Sequence, residues 1–367
     1  MIVNCQKDSL LSACQIVSAA VAARTPKPIL SSIKMIAEGN QLTLIGTDLE
    51  VGIRFSVAAV QIDTPGEAIV PVNRLSSILR ETRDNEITLD ADERRCLLTS
   101  ASAEYEMPGD DPAAFPDVPA FESSTFQEVT TAVLRELIQR TIFAVAKQDT
   151  KYAINGVLWE TEDKTIRLVA TDTRRLAVAS GLLNAKTSTN VKGQTHVIPI
   201  KAMQLLDKSL GNDNELVKID LRSNDVLFQS ERALIYSRLL EGRYPPYRDI
   251  IPKKTGTKIL LPVDSFLASI RQSAIMVDEE TNRVSFQFTP GKLTLQAQSA
   301  KSGRSKVEMP IDYHGENMTI FFDPMFMIDM LKMLPTGEVI LMEMVNASKP
   351  ALFRSGENYL YLVMPLN

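Results

Sequence analysis

Two acidic side chains, Asp48 and Glu50, form the pair of carboxylates whose spacing best suits chemistry. Alternate residues of a strand share a face, so the pair could serve as the acid and base of a carboxylate hydrolase. A surface ion pair with a cation such as Arg54 explains the same residues without catalysis. The histidines, His196 and His314, lack the spacing of metal ligands, and the sequence holds no P-loop, GxSxG or GxGxxG motif. We therefore expect no catalysis, metal or cofactor, with the hydrolase as the alternative.

Two adjacent arginines, Arg174 and Arg175, follow a predicted antiparallel pair of strands. The strands are predicted from two apolar runs, Ala153–Trp159 and Ile166–Ala170, which are joined by a charged turn. Arginines at a strand edge beside Leu176 could receive a partner's peptide. The alternative is a solvated turn with two surface charges.

Length and composition limit the class of protein. A chain of 367 residues suits two or three domains, and 44% apolar residues suffice for ordinary cores. The formal charge of −5 argues against a protein that coats DNA through its whole surface, but it allows a local basic patch. Three cysteines without a CxxC spacing predict reduced thiols, and the sequence has neither an export signal nor an apolar run of membrane-spanning length. We expect a cytoplasmic protein that does not contact membranes.

A long internal repeat organises the chain. Amphipathic helical patterns open at Asp8, Thr131 and Asp264, and each of these residues could cap the first turn. Strand patterns follow each helix, and a second helical pattern begins near a proline in each repeat. The strand patterns are Ile33–Ala37, Ile154–Trp159 and Val284–Phe288, and the prolines are Pro71, Pro199 and Pro324. The pattern predicts an α+β fold of three domains, each with two helices packed on antiparallel sheets. Proline-rich and polar segments place the domains at 1–121, 122–253 and 254–367.

Motifs spread over the chain support a family assignment. They are Gly46-Thr47-Asp48-Leu49-Glu50, Asn155-Gly156, Ala170-Thr171-Asp172, Arg175-Leu176-Ala177, Gly242-Arg243-Tyr244-Pro245 with Tyr247, and Val363-Met364-Pro365. In this order and spacing the chain resembles the bacterial DNA polymerase III β subunits, the replicative sliding clamps.

The resemblance implies a DNA polymerase processivity factor without enzymatic activity. Three clamp-type domains per chain would form a ring as a head-to-tail homodimer, with helices lining a hole for double-stranded DNA. A clamp loader driven by ATP would open the ring. The ring would tether the DNA polymerase III catalytic subunit, and other polymerases or repair factors, through their short clamp-binding peptides. It would work in the cytoplasm, at the nucleoid. A specialised clamp that serves one repair polymerase is the alternative within the family.

The DNA-facing positions are predicted from the resemblance and from basic residues on or beside all six predicted helices. They are Arg24, Arg74, Lys147, Gln148, Lys151, Tyr152 and Lys201. A single cation on a helix is more often a solvated residue than a phosphate contact. Phosphate contacts carry no sequence information, which suits a ring that slides.

The resemblance also implies a peptide pocket between the second and third domains. Its positions are Ile154, Thr171, Thr173, Arg174, Arg175, Leu176, Pro245, Ile250, Pro350, Leu362, Met364 and Pro365. Aliphatic walls would accept Leu and Phe side chains, and Arg175 could bind a backbone carbonyl or an acidic residue. The chain departs from the family pattern at Thr173-Arg174 and in its Leu366-Asn367 ending, so its peptide preference is open.

Complementary charges suggest how the ring closes. The predicted dimer contacts are Glu104, Glu106, Ile275, Met276, Lys301, Arg304 and Lys306. Glu104 and Glu106 alternate in a strand pattern and therefore share a face. Ile275 and Met276 match the apolar dimer contact of the family. The alternative is that these are separate surface charges and helix-end core residues.

Overall fold

The computed structural model describes residues 1–22, 24–57, 60–148, 152–184, 196–254, 256–278, 280–301 and 303–366. Within these ranges the chain divides into two compact units. The first comprises Met1–Arg135, Leu183–Lys192 and Ile198–Leu240, and the second comprises Glu136–Leu182, Gly193–Val197 and Glu241–Asn367, in both cases without the residues outside the described ranges. No helix in the described part of the chain is long and apolar enough to cross a membrane.

Six α-helices follow one another in the described part of the chain. They are α1 (Lys7–Val17), α2 (Val72–Glu81), α3 (Thr131–Gln139), α4 (Ile200–Ser209), α5 (Val263–Ala274) and α6 (Pro324–Leu331). Their sequences are amphipathic, as α2 illustrates: Val72, Leu75 and Leu79 are buried, whereas Arg74 and Arg80 are exposed. Spacings of three and four residues put the apolar side chains on one face, which is why these segments form helices against a sheet.

The strands form three sets with the same order. The first set is β1 (Ile2–Gln6), β2 (Ser32–Glu38), β3 (Gln41–Thr47), β4 (Val51–Val57), β5 (Val60–Thr64), β6 (Gly66–Pro71), β7 (Glu86–Ala91), β8 (Arg95–Thr99) and β9 (Glu104–Pro108). The second set is β10 (Gln127–Thr130), β11 (Gly156–Glu162), β12 (Thr165–Thr171), β13 (Arg175–Leu182), β14 (His196–Pro199), β15 (Leu216–Leu221), β16 (Asp225–Gln229) and β17 (Ala233–Arg238). The third set is β18 (Thr257–Pro262), β19 (Val284–Thr289), β20 (Lys292–Ser299), β21 (Gly303–Pro310), β22 (Met318–Phe322), β23 (Val339–Met344), β24 (Ala351–Ser355) and β25 (Tyr359–Val363).

Each repeat has the order strand, helix, three strands, strand, helix, three strands, with β5 as an addition in the first repeat. The predicted α+β triplication is therefore confirmed, and the expected helices and strands lie within a few residues of their predicted bounds. The domain boundaries stay predictions, because the two compact units divide the chain differently from the three repeats.

Sheets that combine two repeats explain this division. One eight-stranded sheet has the order β10-β15-β16-β17-β4-β3-β2-β6, and another has the order β14-β11-β12-β13-β25-β24-β23-β18. In both, four strands of one repeat continue into four strands of the next through an antiparallel pair, β4 with β17 or β13 with β25. Two smaller sheets, β5-β1-β7-β8-β9 and β21-β20-β19-β22, consist of strands from one repeat each.

The expected helix caps are partly wrong. Neither α1 nor α5 has a side-chain cap, and Asp264 accepts a hydrogen bond from the Gly337 N–H at 2.9 Å instead. In α3 the residue before the predicted one, Thr130, accepts from the Val133 N–H at 3.5 Å. A side-chain cap occurs at α6, where Asp323 accepts from the Met325 N–H at 2.9 Å. An acidic residue in the first turn still interacts favourably with the helix dipole without capping it.

Aromatic side chains fill the core between α5 and the four-stranded sheet. Phe286 is fully buried; its ring centroid lies 6.4 Å from that of Phe266 and 5.2 Å from that of Phe322, and both contacts are edge-on. Such arrangements match the positive edge of one ring to the negative face of the next.

Replacing Phe286 by Ala should lower the free energy of unfolding by about 3–5 kcal/mol, because a cavity replaces a closely packed ring. Denaturant unfolding followed by circular dichroism measures the change. Met325→Ala, at a side chain that is 48% exposed, is the control and should have little effect. An equal decrease in the free energy of unfolding in both variants would contradict the assignment of Phe286 to the core.

Candidate functional site

A tight turn joins β12 to β13 at the centre of the predicted pocket. Asp172 Oδ1 accepts hydrogen bonds from the N–H groups of Arg174 and Arg175, both at 3.0 Å. The Thr171 hydroxyl donates to the Arg175 carbonyl at 2.7 Å and accepts from the Thr173 N–H at 3.1 Å. Thr173 has φ of +76°, a strained conformation for a β-branched residue, so the side-chain bonds hold the backbone in place. The turn leaves the side chains of Thr173 and Arg174 exposed.

Arg175 differs from its expected role at the rim of a pocket. Its side chain is 7% exposed, and Nε donates to Asp172 at 2.9 Å. The two terminal nitrogens donate to Asp329 on α6 and to the Phe143 carbonyl, at 2.8 and 2.7 Å. The guanidinium also lies 4.6 Å from the ring centroid of Phe326. Arg175 thus joins the turn to α6 from inside the protein, and the expectation that it binds a partner's carbonyl stays a prediction.

The electrostatics agree with an internal role for Arg175. Burial alone would lower the pKa of the guanidinium, but the Tyr361 phenol and the carboxylates of Asp329 and Asp172 raise it above its ordinary value. Its positive charge is thus held between two acidic side chains and two aromatic rings. An arginine suits this position because its planar guanidinium can donate hydrogen bonds to several acceptors at once.

Four segments of the second unit converge around this turn. β13 pairs with β25, which puts Leu176 opposite Leu362, and the Met364 N–H donates to the Arg174 carbonyl at 2.8 Å. The Ala153 N–H donates to the Arg243 carbonyl at 3.2 Å, which ties the loop before β11 to the segment that contains Pro245 and Ile250. The structure thus brings Arg174, Leu176, Leu362 and Met364 together.

The predicted pocket residues differ in their exposure. Ile154, Thr171, Arg175, Leu176 and Leu362 are buried, Thr173, Arg174, Ile250 and Met364 are exposed, and Pro245, Pro350 and Pro365 are intermediate. The surface available to a ligand is therefore formed by the exposed and intermediate groups. Ile250 and Met364 are the large apolar ones, at 50% and 40% exposure.

Glu160, assigned from the sequence to a charged turn, instead fixes the loop that carries Ile250. It lies on β11, and its Oε2 accepts from the Tyr247 hydroxyl at 2.7 Å and from Arg248 at 2.9 Å. Arg167 on β12 adds an ion pair at 3.4 Å. Burial, together with the hydrogen bond to Glu160, raises the pKa of Tyr247 to about 12. The carboxylate therefore anchors the short 3-10 helix Tyr247–Ile250.

The turn between β3 and β4 has the same hydrogen-bond pattern as the β12–β13 turn, with Asp48 in the position of Asp172. Asp48 Oδ1 accepts from the N–H groups of Glu50 and Val51 at 3.0 and 2.8 Å, and Oδ2 accepts from Lys201 at 2.6 Å. The partner of Asp48 is therefore Lys201, not Arg54, which pairs with Asp117 at 2.7 Å. Asp48 and Glu50 lie in a turn, not in a strand.

Lys201, a predicted DNA contact, has two partners within the protein. Its ammonium donates both to Asp48 and to the Ala20 carbonyl, the latter at 3.2 Å. Both carboxylate oxygens of Asp48 accept hydrogen bonds, which disfavours the hydrolase hypothesis. Two further helix cations have internal partners: Arg135 binds Asp213, and Arg140 binds Glu136 at 2.9 Å.

The other predicted DNA contacts lie at the surface. Arg24, Arg74, Lys147, Gln148 and Tyr152 are exposed, and Lys151 lies outside the described residues. Exposed cations on or next to helices also include Arg80, Arg83, Lys208, Arg271 and Lys332. Every repeat therefore presents positive charge near its helices.

The predicted dimer contacts lie on two sheet edges and one helix end. Glu104 and Glu106 are exposed on β9, and Arg304 and Lys306 are exposed on β21, each an edge strand within the described chain. Lys301 is exposed in the turn before β21. Ile275, directly after α5, is 72% exposed, and Met276 is intermediate.

Groups of three or more His, Cys, Asp and Glu side chains that could hold a metal ion do not occur among the described residues. The cysteines Cys5, Cys14 and Cys96 are buried as free thiols. Burial raises the pKa of Cys5 and of Cys96 to about 12, so neither is a reactive thiolate.

Sequence models of one protein family match almost the whole chain in three consecutive pieces. The model described as DNA polymerase III beta subunit, N-terminal domain, matches residues 1–119. The models of the central and C-terminal domains match residues 128–246 and 248–367.

Individual relatives agree with the family models. The chain is 29% identical to the beta sliding clamp of Bacillus subtilis over 98% of both chains. A crystal structure of a DNA polymerase sliding clamp from that organism superposes with a TM-score of 0.90 at 28% identity, covering 100% of this chain and 99% of that one. A sliding clamp from Pseudomonas aeruginosa bound to griselimycin has a TM-score of 0.89 at 27% identity, with coverage of 100% and 99%.

Arg175→Ala should lower the free energy of unfolding by about 1–3 kcal/mol, because it leaves the partly buried carboxylates of Asp172 and Asp329 without their shared partner. Chemical unfolding measures the loss. Arg174→Ala removes the neighbouring exposed arginine and is the matched control, with an expected change within about 0.5 kcal/mol. If both variants were as stable as the unchanged protein, Arg175 would not have the internal role described above.

Proposed function

The chain belongs to the DNA polymerase III beta subunit family, and on that premise we propose that two copies form a ring that encircles duplex DNA. The ring would act as a polymerase processivity factor. The observation that carries this proposal is the triplicated two-helix unit, in which exposed cations lie on or beside helices of each repeat although the whole chain is acidic. Helix cations facing a hole would contact phosphates without reading sequence. Topology, rather than affinity, would retain the ring on DNA.

The proposed partners dock on the exposed part of the pocket in the second unit. Ile250 and Met364 offer apolar surface, and the exposed Arg174 offers a cation for an acidic residue of the peptide. The DNA polymerase III catalytic subunit and other polymerases or repair factors would present such peptides. A clamp loader would open the ring with energy from ATP. The proposed place of action is the cytoplasm, at the nucleoid, and the chain itself would catalyse no reaction.

Direct binding to DNA should be weak and should fall steeply with salt concentration. Arg74→Glu combined with Lys147→Glu should reduce the slope of log K against log salt by about 2, since each lost phosphate contact removes about one. Fluorescence anisotropy of labelled duplex DNA, titrated with the protein at several salt concentrations, measures this slope. Lys292→Glu, at an exposed lysine of β20, is the control.

Retention on DNA distinguishes encirclement from ordinary binding. After loading on a nicked circular plasmid, the protein should co-elute with the DNA in gel filtration, and cutting the plasmid once should release it. Equal retention on circular and linear DNA would contradict a ring.

Ile250→Ala and Met364→Ala should each weaken peptide binding about tenfold, because each removes apolar contact worth roughly 1–2 kcal/mol. The probe is a fluorescent peptide that ends in Leu-Phe, and its anisotropy is measured in titrations. Leu260→Ala, at an apolar residue of β18 that is 61% exposed, is the matched control. Unchanged affinity in both pocket variants would move the site elsewhere.

A further inference from the structure

Few of the side chains that oxidants attack are exposed in this protein. The three cysteines are buried, and burial raises the pKa of Cys5 and of Cys96 to about 12, so neither is a thiolate at neutral pH. Trp159, the single tryptophan, is fully buried. The thioethers of the 14 methionines are therefore the sulfur groups that a peroxide could reach.

The structure separates the methionines by exposure. More than half are buried, such as Met330 and Met342, which are both 0% exposed. Another group has intermediate exposure, namely Met1, Met276, Met318 and Met333. The two exposed methionines are Met325 and Met364, at 48% and 40%. Because a peroxide has to contact the sulfur atom, these two side chains are the most open to oxidation.

Met364 occupies a fixed position at the surface. β25 ends at the residue before it, Val363, which is fully buried. The Met364 N–H donates to the Arg174 carbonyl at 2.8 Å, and two residues later the Leu366 N–H donates to the Phe321 carbonyl at 2.8 Å. The segment that carries Met364 is thus tied to the β12–β13 turn and to β22, and the thioether stays at the surface where the partner peptide is proposed to dock.

We propose that Met364 is an oxidation site at which a hydroperoxide weakens the docking of partner peptides. The sulfur lone pair attacks one peroxide oxygen, a sulfur–oxygen bond forms and the oxygen–oxygen bond breaks. With hydrogen peroxide, the thioether is oxidised to a sulfoxide and the peroxide is reduced to water. This inference rests on the peptide pocket proposed above and adds a means of regulating it.

A sulfoxide at this position opposes the binding of an apolar peptide. The thioether of Met364 and the side chain of Ile250 are the large exposed apolar groups of the proposed pocket. The sulfoxide oxygen accepts hydrogen bonds from water, and a Leu or Phe side chain that covers it removes this water without offering a donor. Less apolar contact and the desolvation of an oxygen act together, so the affinity should fall about tenfold or more.

The modification is reversible and leaves the core intact. Methionine sulfoxide reductases convert the sulfoxide back to the thioether with electrons from a dithiol. Oxidation of a buried methionine such as Met330 would place a polar group in the core. Oxidation of the exposed Met364 should therefore change peptide binding without changing stability.

Mild treatment with hydrogen peroxide tests the inference. The oxidised protein is titrated against the fluorescent peptide that ends in Leu-Phe, and mass spectrometry of proteolytic fragments locates the added oxygen. We expect sulfoxides at Met325 and Met364, an affinity that is lower by about tenfold or more, and an unchanged midpoint of chemical unfolding. Reductases for both sulfoxide epimers, supplied with dithiothreitol, should restore the affinity. Unchanged affinity with Met364 oxidised would overturn the inference.

Two conservative variants separate the two exposed methionines. Met364→Leu keeps an apolar side chain of similar size but has no sulfur at this position, so peroxide should not change its affinity from its own value before treatment. Met325→Leu is the matched control and should stay as sensitive to peroxide as the unchanged protein. If Met364→Leu lost affinity on oxidation to the same extent, Met364 would not be the responsible site.

Protection by the bound peptide is an independent measurement on the unchanged protein. An excess of unlabelled peptide should slow the formation of sulfoxide at Met364, since the bound peptide covers the sulfur atom. Met325 is the internal reference, and the rates are followed by mass spectrometry over time. Equal rates of oxidation at Met364 with and without the peptide would contradict the proposal.

The failures of the two proposals are distinguishable. If the reduced protein does not bind the peptide, the proposed pocket is wrong and this inference falls with it. If the reduced protein binds the peptide and oxidation of Met364 leaves the affinity unchanged, the pocket stands and the oxidation site falls.

Discussion

The hydrogen-bonding groups at the edges of its sheets are the constraint on which this protein depends. An edge strand exposes unpaired N–H and C=O groups, and a repeated unit multiplies such edges. At two places the chain pairs an edge strand of one repeat with an edge strand of the next, β4 with β17 and β13 with β25. Both junctions place buried side chains beneath the strands, so backbone pairing and core packing stabilise the same arrangement. The proposed peptide pocket lies at one of these junctions, where the β12–β13 turn meets the end of β25.

The β3–β4 and β12–β13 turns, which lie beside the junctions, also bind helices through their acidic side chains. Asp48 receives Lys201 from α4, and Asp172 shares Arg175 with Asp329 of α6. In both turns an aspartate binds a cation. The helix supplies the cation Lys201 in the first turn, and the second turn supplies its own cation, Arg175. Cations that composition alone would assign to DNA or to a ligand are thus part of the internal structure.

Much of the fold could be predicted from local sequence, and much of the site could not. The six helices follow from apolar spacing, and the triplication follows from the recurrence of helix and strand patterns. The partners of Arg175 and Lys201 were not predictable, since Asp329 and Asp48 lie more than 150 residues away in the sequence. Glu160 was missed because a carboxylate in a charged segment has no local signal of burial. Long-range pairing, rather than residue type, decides which charges remain exposed.

The distribution of charge over two further edge strands has a consequence for assembly symmetry. Because β9 carries the exposed carboxylates Glu104 and Glu106 and β21 carries the exposed cations Arg304 and Lys306, contacts between copies through these edges would be heterologous, head to tail. A heterologous contact closes into a ring if the rotation per subunit divides the circle, and otherwise continues as an open helical filament. The rotation between neighbouring copies would therefore determine whether the same pair of edges produces a finite particle or a fibre.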